Sequence, residues 1–195
     1  MRTRPYSPTM DLPPFYVGNL LLAMPGMGDP NFDHAVIALC VHDEDGAMGI
    51  DIGSEMGGLG LRALLANFDL DGSRVPDTPV LRGGPVEPQR GFVLHSLDWG
   101  GQDMVQVDQL WGLSGSLDIL KAIAEGRGPS RYLVALGYAG WGAGQLEAEM
   151  TRHGWFLTPA EQGLVFDTPT RSRWSRAFAA SGIDAAMLAS APGQA

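Results

Sequence analysis

The sequence predicts a single-domain α+β fold with a mostly antiparallel sheet, and three observations carry that prediction. A chain of 195 residues with 45% hydrophobic content is long enough to close one sizeable core. Apolar runs of strand length fill its first third, whereas stripes at 3.6-residue spacing are confined to a few separate segments. Strands and helices are mixed without the regular βαβ rhythm of a doubly wound sheet, and no repeat or linker divides the chain.

The Pro-rich residues 1–14 are expected to be a disordered lead-in, 15–188 the domain, and 189–195 a disordered tail. Phe15 to Met24 reads as a strand, and the cluster Pro25-Gly26-Met27-Gly28-Asp29-Pro30 as a turn. Residues 34–41 form a second strand, whose continuous apolar run implies cover on both faces. Asp43-Glu44-Asp45-Gly46 connects it as a hairpin to Ala47 to Ile52. Gly57-Gly58-Leu59-Gly60 then opens a short helix with Leu61, Leu64, Leu65 and Phe68 on one face.

Further strands are expected at Val80 to Arg82, Gly91 to His95 and Met104 to Val107. The clearest helix is Ser116 to Glu125, where Leu117, Leu120, Ile123 and Ala124 make an apolar stripe behind a capping serine. Tyr132 to Tyr138 reads as a buried strand, and Gly140-Trp141-Gly142-Ala143-Gly144 as a glycine turn into a helix through Leu146 and Met150. Asp167-Thr168-Pro169 starts a last helix anchored by Trp174 and Phe178 and stopped by Gly182.

Composition excludes several function classes. A formal net charge of −9 repels the phosphate backbone that supplies most nucleic-acid affinity, which argues against direct DNA binding. The single cysteine, Cys40, lies in an apolar run, so the chain can build neither an intrachain disulfide nor a cysteine zinc site. A buried structural thiol and a reducing compartment follow. No window approaches the roughly 18 apolar residues of a membrane span and no h-region follows the N-terminal arginines, which places the protein in the cytoplasm.

No catalytic, cofactor or metal motif is complete. Gly112-Leu113-Ser114-Gly115-Ser116 approaches a nucleophile elbow but lacks the last glycine, and Ser114 is read as a capping residue. Gly58-Leu59-Gly60-Leu61-Arg62-Ala63 matches a dinucleotide string, but no returning parallel strand carries an acidic residue about twenty positions on, and Asp69 and Asp71 lie too early in a loop. His42, Asp43, Glu44 and Asp45 are read as a solvated hairpin tip. His34, His95 and His153 are scattered singly, and Arg171, Arg173 and Arg176 as a solvated helix face. The expectation is therefore no cofactor and no metal.

The best local hint of binding is the Gly140 to Gly144 turn, since glycines let backbone amides approach a small anionic ligand. With Gly83, Gly84, Pro85, Trp141 and Gln145 it forms the candidate surface for a ligand or protein partner (Gly83, Gly84, Pro85, Gly140, Trp141, Gly142, Gly144, Gln145). The alternative is an enzyme whose groups converge only in the fold, using His95, Asp98 or Glu147.

Four blocks carry a family resemblance. They are Gly18 to Phe32, His42 to Gly49, Arg82-Gly83-Gly84-Pro85-Val86 with Gly91-Phe92-Val93-Leu94-His95, and Ala135 to Trp141 with Gly144-Gln145-Leu146-Glu147. In this order they resemble the YqgE/AlgH family over residues 15 to 185. The resemblance implies a bent, barrel-like sheet flanked by about four helices. It also implies a bacterial protein of a kind sometimes labelled a transcriptional regulator, with no enzyme activity implied. Asp51-Ile52-Gly53 stands where many members carry an Asn-Arg-Pro-like segment, so a role tied to that segment does not carry over.

Overall fold

The computed structural model describes residues 15–152 and 154–189. The expected disorder of 1–14 and of the tail beyond 189 lies outside them, as does His153. The chain runs β1 (Asn19–Ala23), β2 (Val36–Asp43), β3 (Gly46–Asp51), β4 (Glu55–Gly60), α1 (Leu61–Ala66), β5 (Pro79–Arg82), β6 (Val86–His95), β7 (Val105–Val107), β8 (Trp111–Ser114) and α2 (Leu117–Ala124). It continues through β9 (Tyr132–Gly142), α3 (Gln145–Thr151), β10 (Trp155–Pro159), α4 (Gln162–Phe166), α5 (Thr170–Ala180) and α6 (Ala185–Ala189).

Eight strands pair in the order β10-β1-β2-β3-β9-β6-β8-β7, with β4 on β5 and β5 on β9. Every pairing is antiparallel except β5 with β9. The long strand β9 is the spine. β6 takes one edge, while the other is shared by β5 at Ala135 and Leu136 and β3 at Ala139 to Gly142. At that junction Gly84 (φ +151°) crosses β9 so closely that a Cβ would sit 2.1 Å from the Tyr138 carbonyl carbon, so only glycine fits.

The sheet curls into a half-barrel because strands far apart in its order share one core. Leu20 and Leu22 of β1, Val36, Ala38 and Cys40 of β2, Leu94 of β6, Val107 of β7 and Leu113 of β8 meet inside it, sealed by Phe178 of α5. The outer face is covered twice. α3 closes it over Leu21, Ile37, Leu39 and Trp141; α1 and α2 close it over Val80, Val93 and Val134. Period-two alternation explains the split, as Val93 and Leu94 point to opposite faces.

Among the described residues six α-helices flank the sheet, two more than the expected four, because α4 and α6, at five residues each, are too short to show a 3.6-residue stripe. Four other expectations are corrected. The Gly57–Gly60 segment is the strand β4, paired with β5. The glycine turn is shorter than read: β9 continues through Gly142, held by Gly46↔Gly142 and Met48↔Gly140 pairing, which leaves Ala143 and Gly144 to turn. Ser114 ends strand β8 rather than capping a helix. Ser116 does occupy the cap position of α2, but its side chain makes no capping bond.

Candidate functional site

Two of the clefts among the described residues, with the polar networks beside them, are the candidate sites. The first cleft is a groove of ≈ 460 Å³ on the outer face, between α1 and α2 and over β6 and β8. Leu64, Phe92, Val93, Leu120, Val134 and Leu136 wall it, while Phe68 and Leu117 stand exposed in its lining. Its polar corner is Ser114-Gly115-Ser116. The first amides of α2 have no intrahelical acceptor there.

Ser114 is 1% exposed, and its Oγ lies 3.0 Å from His95 Nε2. The other ring nitrogen, Nδ1, lies 2.9 Å from the Ser96 carbonyl. A carbonyl only accepts, so Nδ1 carries the proton and Nε2 accepts from the Ser114 hydroxyl. Burial is the main cause that lowers the His95 pKa, opposed by the Ser96 carbonyl and Asp98, so the imidazole is neutral at pH 7. The ring packs edge-on to Trp99 at 5.4 Å. The Ser114 that sequence placed in a cap and the His95 that it left isolated are therefore partners.

Asp98 stays on this side of the molecule but does not reach the imidazole. Its Oδ1 accepts the Ser96 hydroxyl at 2.6 Å and the Ser130 amide. Bonds from Ser130 first and Ser96 second bring it down to about 2. Glu147 is elsewhere. His95 pairs with Tyr132 at one end of the 11-residue β9, whereas Glu147 follows its other end, roughly 30 Å away at about 3.3 Å per residue.

Glu147 binds His42 instead. The Tyr16 amide donates to His42 Nδ1 at 3.0 Å, and Nε2 lies 2.9 Å from the Glu147 carboxylate. His42 is buried, while Asp43, Glu44 and Asp45 are exposed. The solvated-tip reading thus holds for the acids and is corrected for His42, which the edge of α3 covers. Among the described residues no three His, Cys, Asp or Glu side chains converge as a metal ligand set.

Beside it, the Glu149 carboxylate collects three donors. The indole N–H groups of Trp141 and Trp155 reach one oxygen, each at 2.9 Å, and Gln145 Nε2 reaches the other at 3.0 Å. Trp141 is 7% exposed and anchors α3. The Gly142 amide is already taken by Gln145 Oε1 at 3.0 Å. Of the candidate surface, Pro85, Gly140, Gly142, Gly144 and Gln145 are exposed, whereas Gly83 and Gly84 are buried against β9.

The second cleft, ≈ 710 Å³, lies between the β4–β5 pair and the α4–α5 connection. Arg173 is in its lining and is 2% exposed, which corrects the solvated-face reading for this arginine; Arg171 and Arg176 are exposed. One terminal nitrogen donates to the Ile52 carbonyl and the other to the Thr168 carbonyl at 2.7 Å, clamping α5 to the end of β3. Behind it, Asp51 Oδ1 accepts the amides of Gly53 at 2.8 Å and Val36 at 3.1 Å. Burial raises Asp51 to about 7 against the pull of those amides, Arg173 and Arg82.

A curled, mostly antiparallel half-barrel with covering helices places the described residues in the α+β class of single-domain folds. The chain belongs to the AlgH-like family, whose profile matches residues 20–186. It is 60% identical to the UPF0301 protein of Novosphingobium aromaticivorans, over 91% of this chain and 96% of that one. It is 55% identical to the UPF0301 protein of Rhizorhabdus wittichii, over 95% and 100%. Among solved structures it is similar to AlgH from Pseudomonas aeruginosa, with a TM-score of 0.73, 38% identity, and coverage of 99% and 100%. A Corynebacterium diphtheriae protein shares the fold at a TM-score of 0.71, 18% identity, and coverage of 90% and 92%. No helix among the described residues is long and apolar enough to cross a membrane.

Proposed function

We propose that this chain is a cytoplasmic regulatory or adaptor protein that acts by binding a small, mostly apolar metabolite in the groove between α1 and α2. The observation that carries the reading is the groove itself. It has mostly apolar walls, with polar groups at the Ser114 to Ser116 corner and at Asn67 and Gln89, the usual make-up of a small-molecule site. The matching ligand has an apolar body and a few hydrogen-bonding groups. Occupancy would be passed to a protein partner by α1 and α2, and any effect on transcription is indirect, since a net charge of −9 opposes DNA contact.

Gly91 supplies the test. It lines the groove, and a Cβ there meets nothing closer than Leu136 Cδ2 at 3.9 Å, so Gly91→Leu fills the groove from its floor without backbone strain. Calorimetric titration with octanoate and with indole is expected to show saturable binding to the wild type and none to the variant. Equal binding to both, or to neither, removes the groove as the site.

The Ser114–His95 bond favours one second reading, a hydrolase in which Ser114 attacks an acyl carbonyl and passes its proton to His95 Nε2, the imidazolium returns that proton to the departing alcohol or amine, and water then releases the acyl group as a carboxylic acid. Covalent labelling of Ser114 by a fluorophosphonate, absent in Ser114→Ala, would replace the binding-protein reading; no labelling retires the enzyme.

A further inference from the structure

The second cleft is distinct from the groove and is built on different chemistry. Its wall includes the continuous segment Asp167-Thr168-Pro169-Thr170-Arg171, which leads into the 11-residue helix α5. Pro169 occupies the cap position and makes no side-chain cap bond. Proline has no N–H, so the first free donors are the amides of Thr170 and Arg171, because the Ser172 amide already bonds back to the Pro169 carbonyl at 3.0 Å. These two amides stand at the positive end of the helix dipole.

A second, independent feature points the same way. Arg173 also lines the cleft and is 2% exposed. Its two terminal nitrogens are taken by carbonyls, but Nε has no hydrogen-bond partner among the described residues. A buried guanidinium N–H without an acceptor is costly, and such groups call for an explanation. The carboxylates nearby do not supply one. Asp51 is engaged with the Val36 and Gly53 amides. Asp167 is held by Arg131 at 3.2 Å. Glu55 lines the cleft from β4 and is exposed.

We infer that this cleft is an anion site that takes a phosphate monoester, with its phosphate seated on the first turn of α5 between the Thr170 and Arg171 amides, the Arg171 guanidinium and the Arg173 side of the cleft. The rest of the molecule would extend along Tyr132 and Phe166, which line the same cavity. Glu55 sets the selectivity, since it repels a second anionic group and accepts a hydroxyl or amine of the ligand.

Thr170→Pro isolates the amide. Proline is favoured at the first position of a helix, and Pro169 at φ −57°, ψ 139° already has the extended geometry that a residue before proline requires. The variant therefore removes one donor and leaves the helix intact, while Arg171→Ala removes an exposed charge. Inorganic phosphate is titrated at constant ionic strength against the wild type and both variants, followed by thermal shift and by the 31P linewidth. The expected result is saturable binding to the wild type, weakened about tenfold or more in each variant, with unliganded melting temperatures and octanoate binding unchanged. No saturable phosphate binding to the wild type, or binding to both variants as strong as to the wild type, overturns the site and leaves the groove reading untouched.

Discussion

Replacing Asp51 by asparagine tests the electrostatics of the core in a single step. Asp51 is 1% exposed, and burial raises its pKa from 3.8 to about 7 despite Arg173 and Arg82. Because the folded value lies above the unfolded one, the folded chain binds more protons between about pH 4 and 7, so stability falls as pH rises through that window and is flat above it. Three pKa units at 1.36 kcal/mol each put the full cost near 4 kcal/mol. Asparagine keeps the Oδ1 acceptor for the Val36 and Gly53 amides and carries no charge. Urea unfolding at pH 5 is expected to put the variant ahead by only about 1.5 kcal/mol, because the folded wild-type carboxyl is still protonated while the unfolded one, at 3.8, is already ionised. At pH 8 the variant should be more stable by up to about 4 kcal/mol, an upward melting shift of roughly 10 °C for a domain of this size. A variant less stable than the wild type at pH 8 would show that the Asp51–Arg173 attraction outweighs desolvation, and the reasoning would fail.

Other substitutions separate packing from binding. Trp141→Ala should lower stability by about 3–5 kcal/mol, the usual cost of emptying a buried aromatic site; a fully stable variant that had lost a partner would restore Trp141 as a contact residue. Ser114→Ala leaves His95 Nε2 without its donor and should cost about 1–3 kcal/mol by denaturant unfolding, whereas Ser114→Thr keeps the hydroxyl; equal loss in both would mean that the bond contributes nothing. Cys40 is buried, and desolvation raises its thiol to about 12, so a disulfide reagent should modify it only in denaturant. Fast labelling of the folded chain would contradict its place in the core.

The parts of the fold that were legible are those where one period dominates locally. β2 is a continuous apolar run buried on both faces, and α5 shows its Trp174 and Phe178 anchors, packed at 4.9 Å. β8 was hidden because its four residues, Trp111 to Ser114, adjoin a stronger helical stripe. β10 was hidden because its five residues, Trp155 to Pro159, follow directly on the helix read through Leu146 and Met150 with no turn cluster between them. Two polar core residues left a readable trace: Arg173 stands four before the buried Ala177 and so on the inner face of α5, and Asp51 interrupts an apolar strand. Neither cleft could be read. The groove draws its lining from α1, β6, β8, α2 and β9, and only the register that sets Val93 opposite Ser114 and Val134 brings those walls together.

The central claim, that the groove between α1 and α2 holds the ligand, is tested most directly by amide NMR of the labelled protein during titration with octanoate. The account predicts saturable shifts concentrated on Phe68, Gly91, Gly115, Ser116 and Leu120, and their disappearance in Gly91→Leu. Shifts centred on Gly140, Gly142, Gly144 and Gln145 instead, or no saturable shift at the groove residues, would contradict it.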